Sequence, residues 1–359
     1  MTERLAVLSS PASTGAAGNP YIEQLVDHLG RCGVVVEPFT RRALLDRPSV
    51  VHVHWPAYLL AARSAPAAVP EALRVLVLLR LARARGAVLV WTGHDVEPHD
   101  GFPTRVHAAF FRAFVRQVDH LVALGAVTVP VLRRRWPALG RTPAAVVPHG
   151  HYRDVYPTPP SRAQARAALG VPGDARVLLC FGQVRRYKRL DEVVRAHRRR
   201  AGADDLLVVV GGCADEALAD ELRAAAGEDP RVRLVLERVD EATASAWFGA
   251  ADAFVHAYDD RSALNSGAAL LALSLATPVV ARSTPVVDEL AASVGGSWVR
   301  AVAGDVEDVV AAALAVPAGE PAGAAPMPER EWPAVAAATE AVYRDALRRR
   351  RRRRPDDRV

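Results

Sequence analysis

The stretch ARVLLCFGQVRRYKRLDEVVRAHRRR, residues 175–200, predicts an apolar β-strand, a basic loop and a helix. The same order recurs along the chain, with further strands predicted at RLAVLSS, GVVVEPF, SVVHVHW, AVLVWTG, HLVALG, PAAVVPHG, DDLLVVVGG, VRLVLERV, DAFVHAY and TPVVAR. Strands that alternate with helices favour mostly parallel sheets covered on both faces. We therefore predict an α/β protein.

The Pro-rich segment YPTPPSRAQARAALGVPGD interrupts this alternation, which then restarts. The break predicts two doubly wound, Rossmann-like domains facing a cleft, with ligands beyond the carboxyl ends of the strands. We expect these domains to span residues 1–155 and 156–330. A C-terminal helix over 331–350 is expected to cross back to the first domain, followed by a basic disordered tail over 351–359.

Composition narrows the class of protein. The chain has 359 residues, half of them hydrophobic, which predicts a globular protein. Its three cysteines are scattered, and the first residues, MTERLAVLSS, lack the long apolar run of a signal peptide. No uncharged stretch reaches membrane-spanning length. We expect a cytoplasmic protein with buried, reduced thiols.

The formal net charge of +6 is concentrated in an unbroken run of seven arginines, Arg348–Arg354. Such a run binds anionic lipid or nucleic acid, or else forms a solvated tail. No aromatic residues interleave with it and no zinc-finger or helix-turn-helix spacing is present, so we do not expect a nucleic-acid partner.

Lysine occurs once among the 46 basic residues, as Lys188. Lysine presents a compact charge on a flexible stem, whereas arginine presents a planar fork. A narrow site for a phosphate oxygen requires the former. Chance is the alternative explanation for a single lysine.

Two predicted helix starts in the second half suit an anion. Arg185, Arg186 and Lys188 lie in the loop before one helix, and Ser266 and Gly267 open another, apolar helix. Helix amino termini attract anions, and glycine lets backbone N–H groups approach a phosphate. Each feature alone also fits helix–sheet packing, but the pair favours a diphosphate.

Histidines collect at the predicted strand ends of the first half. They are His52, His54, His94, His149 and His151, with Asp95, Glu97 and Asp100 nearby. Two His-x-His pairs place side chains on one face of a strand, as in metal sites. No spacing supplies the remaining ligands, so we expect no metal and favour a site for a polar ligand.

The segments WTGHDVEPHD, VVPHG, FGQVRRYKRLDEVV and LNSGAALLALSLATPVVA resemble the GT-B glycosyltransferases, in particular the large retaining family of bacterial mannosyl-, glucosyl- and exopolysaccharide transferases. The resemblance implies an acceptor-side first domain and a nucleotide-sugar-binding second domain. Lys188, with Gly182 before its loop, would then grip the donor diphosphate, which accounts for the single lysine.

The resemblance also implies roles in the first half. His94 matches the family's histidine near the reacting centre, and His149 and Gly150 would face the donor. The segment TGAAGNPY, with Gly15, is similar to the loop that approaches the donor phosphates.

Two departures from the family pattern affect donor binding. Gln183 stands where the family often has arginine, so Arg185 would supply that charge. The two glutamates that bind the donor ribose are replaced by Ala263 and Leu271. We expect this chain to hold the donor through Asn265, Ser266 and Gly267 instead, and GDP- and UDP-sugars are not distinguished.

The expected activity is glycosyl transfer, retaining and metal-independent, with no cofactor beyond the nucleotide-sugar co-substrate. Inversion would require a base, for which Asp95, Glu97 and Asp100 are the candidates. The alternatives are a non-catalytic GT-B relative that binds a partner, and a sugar-nucleotide epimerase.

The acceptor is expected to be a glycan, a lipid-linked sugar or a small natural product. Arg-rich segments near residues 70–85 and 105–116, with the arginine tail, would suit peripheral contact with the inner face of the plasma membrane. Ordinary solvated helix faces are the alternative explanation of these segments.

Overall fold

The computed structural model describes residues 5–13, 20–40, 47–60, 64–96, 104–257, 264–317, 319 and 323–353. The chain divides into two compact units. The first comprises Met1–Gly150, Arg261–Asn265 and Pro328–Val359, and the second comprises His151–Asp260 and Ser266–Met327.

Strands and helices alternate along both halves. The first half contains β1 Ala6–Ser10, α1 Tyr21–Arg31, β2 Val35–Pro38, β3 Val50–Val53, α2 Ala65–Ala84, β4 Val88–Gly93, α3 Thr104–Val115, β5 His120–Ala123, α4 Thr128–Arg135 and β6 Ala144–Val146. The second contains α5 Arg162–Leu169, β7 Arg176–Phe181, α6 Leu190–Arg200, β8 Asp205–Val210, α7 Glu216–Ala226, β9 Val232–Val235, α8 Glu241–Ala250, β10 Ala253–His256, α9 Gly267–Ser274, β11 Val279–Arg282, α10 Pro285–Val294, β12 Val299–Val302 and α11 Val306–Leu314. The last helix is α12, Trp332–Arg353.

Within the described residues, the first unit holds a six-stranded parallel sheet in the order β2-β1-β3-β4-β5-β6. Strands β3, β4 and β5 are buried throughout, because helices cover both faces of the sheet. One face packs on α2, α3 and α4, and the other on α1 and α12. The C-terminal helix thus belongs to the first unit's core.

The second unit repeats this plan with a parallel sheet that has six strands in its described part, in the order β12-β11-β10-β7-β8-β9. Its two faces pack against α5, α8, α9 and α10, and against α6, α7 and α11. Two parallel sheets with helices on both faces confirm the predicted α/β class with two Rossmann-like halves.

Each sheet has a point where strand order reverses. In the second unit that point lies between β7 and β10, and in the first it lies between β1 and β3. In folds of this kind, a crevice for ligands forms at the carboxyl ends of the strands where the order reverses. The chain after β7 leads to Lys188, and the chain after β10 leads to Ser266 and Gly267. The two predicted anion-binding segments therefore flank one crevice.

The thiols differ in burial, and none of the three forms a disulfide. Cys180 in β7 is buried, as expected. Cys32, directly after α1, and Cys213, between β8 and α7, are half-buried. Among the helices that the structure describes, none combines the length and hydrophobicity needed to span a bilayer.

Candidate functional site

Lys188 is folded back onto the end of strand β7. The chain leaves β7 through Gly182, whose φ is +99°, and passes through a 3-10 helix, Arg186–Lys188, before Arg189 begins α6 with φ +49°. A Cβ atom on Gly182 would lie 3.4 Å from Lys188 Nζ and 4.0 Å from Ala268 Cβ. The lysine ammonium and the first turn of α9 therefore both lie next to Gly182.

The ammonium group lies in a buried setting, since Lys188 is only 7 % exposed. Burial raises the pKa of the neighbouring Cys180 thiol to about 12, and the positive charge of Lys188 opposes that rise. A charge in such a buried setting is screened less than a charge in water, so it attracts an ion of opposite sign more strongly. The position is thus suited to an anionic ligand.

Helix α9 begins beside this lysine. Ser266 caps the helix, and its Oγ accepts a hydrogen bond from the Ala269 N–H over 3.3 Å. A Cβ on Gly267 would lie 3.3 Å from the Tyr152 hydroxyl, so the helix start is closely packed. The amino end of a helix carries partial positive charge. Lys188 and the start of α9 thus place positive charge on both sides of Gly182.

The two arginines of the loop are placed differently. Arg185 is exposed, and its Nη2 donates to Gln183 Oε1 over 3.0 Å. Arg186 is also exposed and pairs with Asp215 at 2.9 Å and with Glu221 at 3.0 Å. Of these three cations only Lys188 is buried, and carboxylates of the α7 region already neutralise Arg186.

In the first unit, the strand-end histidines form one buried group. His52 Nδ1 is hydrogen-bonded to Tyr343 Oη and its Nε2 to Thr92 Oγ1, each at 2.7 Å. His54 Nδ1 lies 3.2 Å from His94 Nε2. Strands β3 and β4 are neighbours, so residues at their carboxyl ends meet. The predicted gathering of polar groups at this edge is present.

His94 is held on three sides. The Trp55 ring stacks on it at 4.4 Å between ring centroids, and the Tyr21 ring meets it edge-on at 5.1 Å. Its carbonyl oxygen accepts a hydrogen bond from the Leu264 N–H over 3.2 Å. Burial, and then the charges of His149 and His52, hold the pKa of His94 well below its usual value. The imidazole is therefore neutral at pH 7 and acts as a hydrogen-bonding group.

His149 follows β6 and donates through Nδ1 to the Gly150 carbonyl oxygen over 2.7 Å. Burial lowers its pKa to about 4. A Cβ on Gly150 would lie 2.5 Å from the Trp332 indole, so only glycine lets α12 approach this closely. Arg330 Nη1 donates to the His149 carbonyl oxygen over 3.2 Å. His149 and Gly150 thus also join the C-terminal segment to the first sheet.

The remaining predicted site residues lie in different parts of the molecule. Asp95 is half-buried directly after His94, Asn265 belongs to the first unit, and His151 belongs to the second. Leu271 packs in the core of the second unit. Gly15, Glu97, Asp100 and Ala263 lie outside the described residues. Over the described part of the chain, no group of His, Cys, Asp or Glu side chains is arranged to hold a metal ion.

Several residues of these groups were not predicted. Tyr21 and Trp55 frame His94, and Tyr343 reaches His52 from 291 residues away, which no local pattern reveals. His256 ends β10 and is buried beside the crevice of the second sheet. Its position at a strand end is the same signal that identified His94, so sequence reasoning could have included it.

Comparisons with known proteins agree with this architecture. Residues 175–316 match the family model described as "Glycosyl transferases group 1". The chain is 30% identical to the GDP-mannose:glycolipid 4-beta-D-mannosyltransferase of Xanthomonas campestris pv. campestris, covering 96% of this chain and 93% of that protein. It is also 30% identical to a D-inositol 3-phosphate glycosyltransferase of Kineococcus radiotolerans, covering 97% and 96%.

A likeness to solved structures extends over the same length. The structure of Anabaena HepE in complex with UDP and glucose has a TM-score of 0.63 at 14% identity, covering 97% of this chain and 98% of that chain. These matches confirm the predicted fold and the predicted enzyme class, and they favour the enzyme over a non-catalytic binding protein. The chain belongs to the group 1 glycosyl transferases and is a glycosyltransferase of the GT-B fold.

Proposed function

We propose that this glycosyltransferase takes its sugar from a nucleoside diphosphate sugar whose diphosphate binds at Lys188, Gly182 and the start of α9. The observation that carries the proposal is the burial of the chain's single lysine beside a helix amino terminus, at the reversal point of the second sheet. A fixed cation and a helix dipole at one point suit a diphosphate.

The reaction requires stabilisation of the negative charge that develops at the proposed diphosphate site. The bond between the sugar's C1 and the diphosphate oxygen breaks, and its electron pair leaves with the diphosphate. The acceptor hydroxyl oxygen bonds to C1, and its proton passes to the departing diphosphate if C1 is retained or to a carboxylate base if C1 is inverted. Lys188 and the α9 amino terminus meet the developing negative charge without reorganising, which is the most effective form of such stabilisation. We therefore propose transfer without a metal ion, with activity unchanged by a chelator.

His94 would serve a second role. Its neutral imidazole is held between Trp55 and Tyr21, so it can offer a hydrogen bond of fixed direction to a sugar hydroxyl. A neutral, low-pKa histidine is a poor general base, because it binds a proton weakly. We assign His94 to sugar positioning, with Arg185 able to approach the diphosphate from the exposed loop.

The relatives suggest a donor and an acceptor class. The Xanthomonas enzyme is named for GDP-mannose and a glycolipid. We propose a GDP-sugar as the first donor to test and a lipid-linked glycan as the acceptor, met by peripheral contact with a membrane. The family's second ribose-binding glutamate position holds Leu271 in the core, so Asn265 and Ser266 are the proposed substitutes for ribose or phosphate contacts.

The stereochemical course has two candidates. The sequence resemblance implies retention. The name of the Xanthomonas relative specifies a β-mannosyl product, and forming a β-linkage from an α-linked sugar nucleotide inverts C1. Inversion needs a base, and Asp95 is the described carboxylate next to His94. Proton NMR of the anomeric signal in the first product distinguishes the two.

The first test measures donor binding and turnover on the same variants. Thermal unfolding is followed with GDP-, UDP-, dTDP- and ADP-sugars for the wild type, Lys188→Ala, Lys188→Arg and Arg186→Ala. A donor at a hundred times its Kd adds about 2.7 kcal/mol to the free energy of unfolding. We expect one nucleotide class to stabilise the wild type and Arg186→Ala but neither Lys188 variant. Turnover by Lys188→Ala should fall by about 10²–10³.

Mass spectrometry of the products completes the test. A sugar added to an acceptor supports transfer, whereas an isomeric sugar nucleotide would indicate an epimerase. Arg186→Ala is the matched control because Arg186 lies two residues away but is exposed and already paired. Equal donor binding by wild type and Lys188→Ala would overturn the assigned diphosphate site.

A further inference from the structure

Helix α2 is apolar on both of its faces. Its inner side, including Ala72, Val75, Leu79 and Ala82, is buried in the first unit's core. Its outer side carries a row of apolar side chains, which we call the α2 ridge, with exposed fractions of 46 % for Val69, 60 % for Leu73, 55 % for Val77 and 47 % for Leu81. Residues four apart share one side of a helix, so the ridge is continuous. An apolar ridge of this kind marks an interaction surface.

Arginines border the ridge. Arg74, Arg80 and Arg85 are exposed on or just beyond α2, and the helix's single acidic residue, Glu71, is half-buried. An outer face made of apolar and arginine side chains is unusual for a helix in contact with water only. Its charge selects an anionic partner.

The arginine run at the end of α12 lies beside the carboxyl end of α2. The Arg350 side chain donates to the Arg83 carbonyl oxygen, and its Nη1 lies 4.0 Å from Asp119 Oδ1. The carboxyl end of α12 is therefore beside the carboxyl end of α2, and Arg351 and Arg352 are exposed there. A dense positive charge thus adjoins the ridge, although 267 residues separate Arg83 from Arg350.

Helix α3 lacks this combination. Arg105, Arg112 and Arg116 are exposed, but the aromatic side chains Phe110 and Phe114 face the core. It is an ordinary amphipathic helix. The sequence analysis treated these two Arg-rich segments alike, but their surfaces differ. Of the two helices, only α2 carries an exposed apolar ridge.

We propose that the α2 ridge and the arginines beside it dock this enzyme onto an anionic lipid bilayer. The ridge side chains enter the interface, and the arginines reach lipid phosphates with their stems along the apolar surface. The inference deepens the proposed function, on which it rests for the lipid-linked acceptor. Binding to lipid can be measured without glycosyl transfer.

A second copy of the chain is a less suitable occupant. A symmetric contact between two ridges would bring Arg74, Arg80 and Arg85 of both copies together, and like charges in contact oppose association. An anionic lipid bilayer offers both an apolar interior for the ridge and phosphates for the arginines. Charge complementarity therefore decides between the two.

The test is flotation of the full chain with vesicles of phosphatidylcholine alone or mixed with phosphatidylglycerol. We expect the wild type to bind the mixed vesicles. Leu73→Gln with Val77→Gln should weaken partitioning by at least about tenfold, because two apolar side chains no longer leave water. Arg80→Gln with Arg85→Gln should weaken it by about fivefold for each arginine.

Val35→Gln with Val146→Gln is the matched control, since both valines are exposed on edge strands of the same unit. We expect it to bind like the wild type, as should Lys188→Ala, which separates lipid docking from donor binding. Equal vesicle binding by the ridge variant, with an unchanged unfolding temperature, would overturn the proposal. So would a dimer that the ridge variant converts to a monomer while lipid binding is unaffected.

Discussion

At the scale of single residues, the second unit holds a buried charged side chain, whereas the first unit holds buried neutral histidines. Lys188 keeps a buried ammonium at the second sheet, whereas burial lowers the pKa of His52 to about 3 and of His149 to about 4 in the first. The histidines are therefore neutral partners in hydrogen bonds, because burial disfavours their protonated form.

This arrangement makes stability depend on pH. An unfolded histidine titrates near pH 6.5, well above the folded values, so the unfolded state binds more protons as pH falls. The stabilisation is complete above about pH 6.5 and is lost towards pH 4, at up to about 1.4 kcal/mol per pH unit for each group. We expect urea unfolding to show a flat free energy above pH 7 and a decline below pH 6.5.

His52→Gln is the informative variant for this pH dependence. Glutamine can still donate and accept, so the contacts to Tyr343 and Thr92 remain possible while one titrating group is removed. The decline between pH 6.5 and pH 4 should become shallower than in the wild type. Identical slopes would mean that His52 does not contribute to the pH dependence.

At the scale of elements, the loop from β7 to α6 depends on a backbone conformation that side chains rarely adopt. Gly182 has φ +99°, and the Lys188 ammonium lies against it. The sequence predicted the strand, the loop and the helix here, because their periodicity is local. It did not predict that Arg186 pairs with the α7 region while Lys188 turns inward, since both depend on neighbours from other elements.

We expect Gly182→Ala to destabilise the protein by about 1–3 kcal/mol, because alanine is strained at this φ. The added methyl would also lie in contact with Lys188 Nζ, 3.4 Å away, and take space at the proposed diphosphate site, which should reduce the thermal shift produced by the donor. Gly173→Ala is the control, since Gly173 is exposed and a Cβ there would meet no atom within 4 Å. Chemical denaturation with and without donor measures both effects, and equal behaviour of the two variants would contradict the role of Gly182.

At the scale of the whole molecule, the chain passes through the second unit and ends in the first. Trp332, Val335 and Tyr343 of α12 are buried in the first unit's core. Residues 328–359 are thus part of a unit whose sheet is completed within the first 150 residues.

Removing residues 328–359 should therefore unfold or loosen the first unit selectively. Loss of large buried aromatic side chains costs about 3–5 kcal/mol each. Hydrogen exchange should show β3 and β4 losing protection while β7 and β8 keep it. Arg351→Gln with Arg352→Gln, at two exposed positions of the same helix, serves as the control and should leave both sheets protected. Equal loss in the two sheets would show that their stabilities are coupled.

The sequence by itself determined the alternating architecture and the α/β class, and it singled out Lys188, on which the proposed donor site depends. These follow from hydrophobic periodicity, turn residues and one exceptional residue type, which are properties of short segments. Only the tertiary structure decided that Tyr343 meets His52, that Trp55 and Tyr21 frame His94, and that the arginine run adjoins the α2 ridge. Those contacts join residues far apart in the chain, and they form because packing both faces of a sheet brings distant helices to one edge.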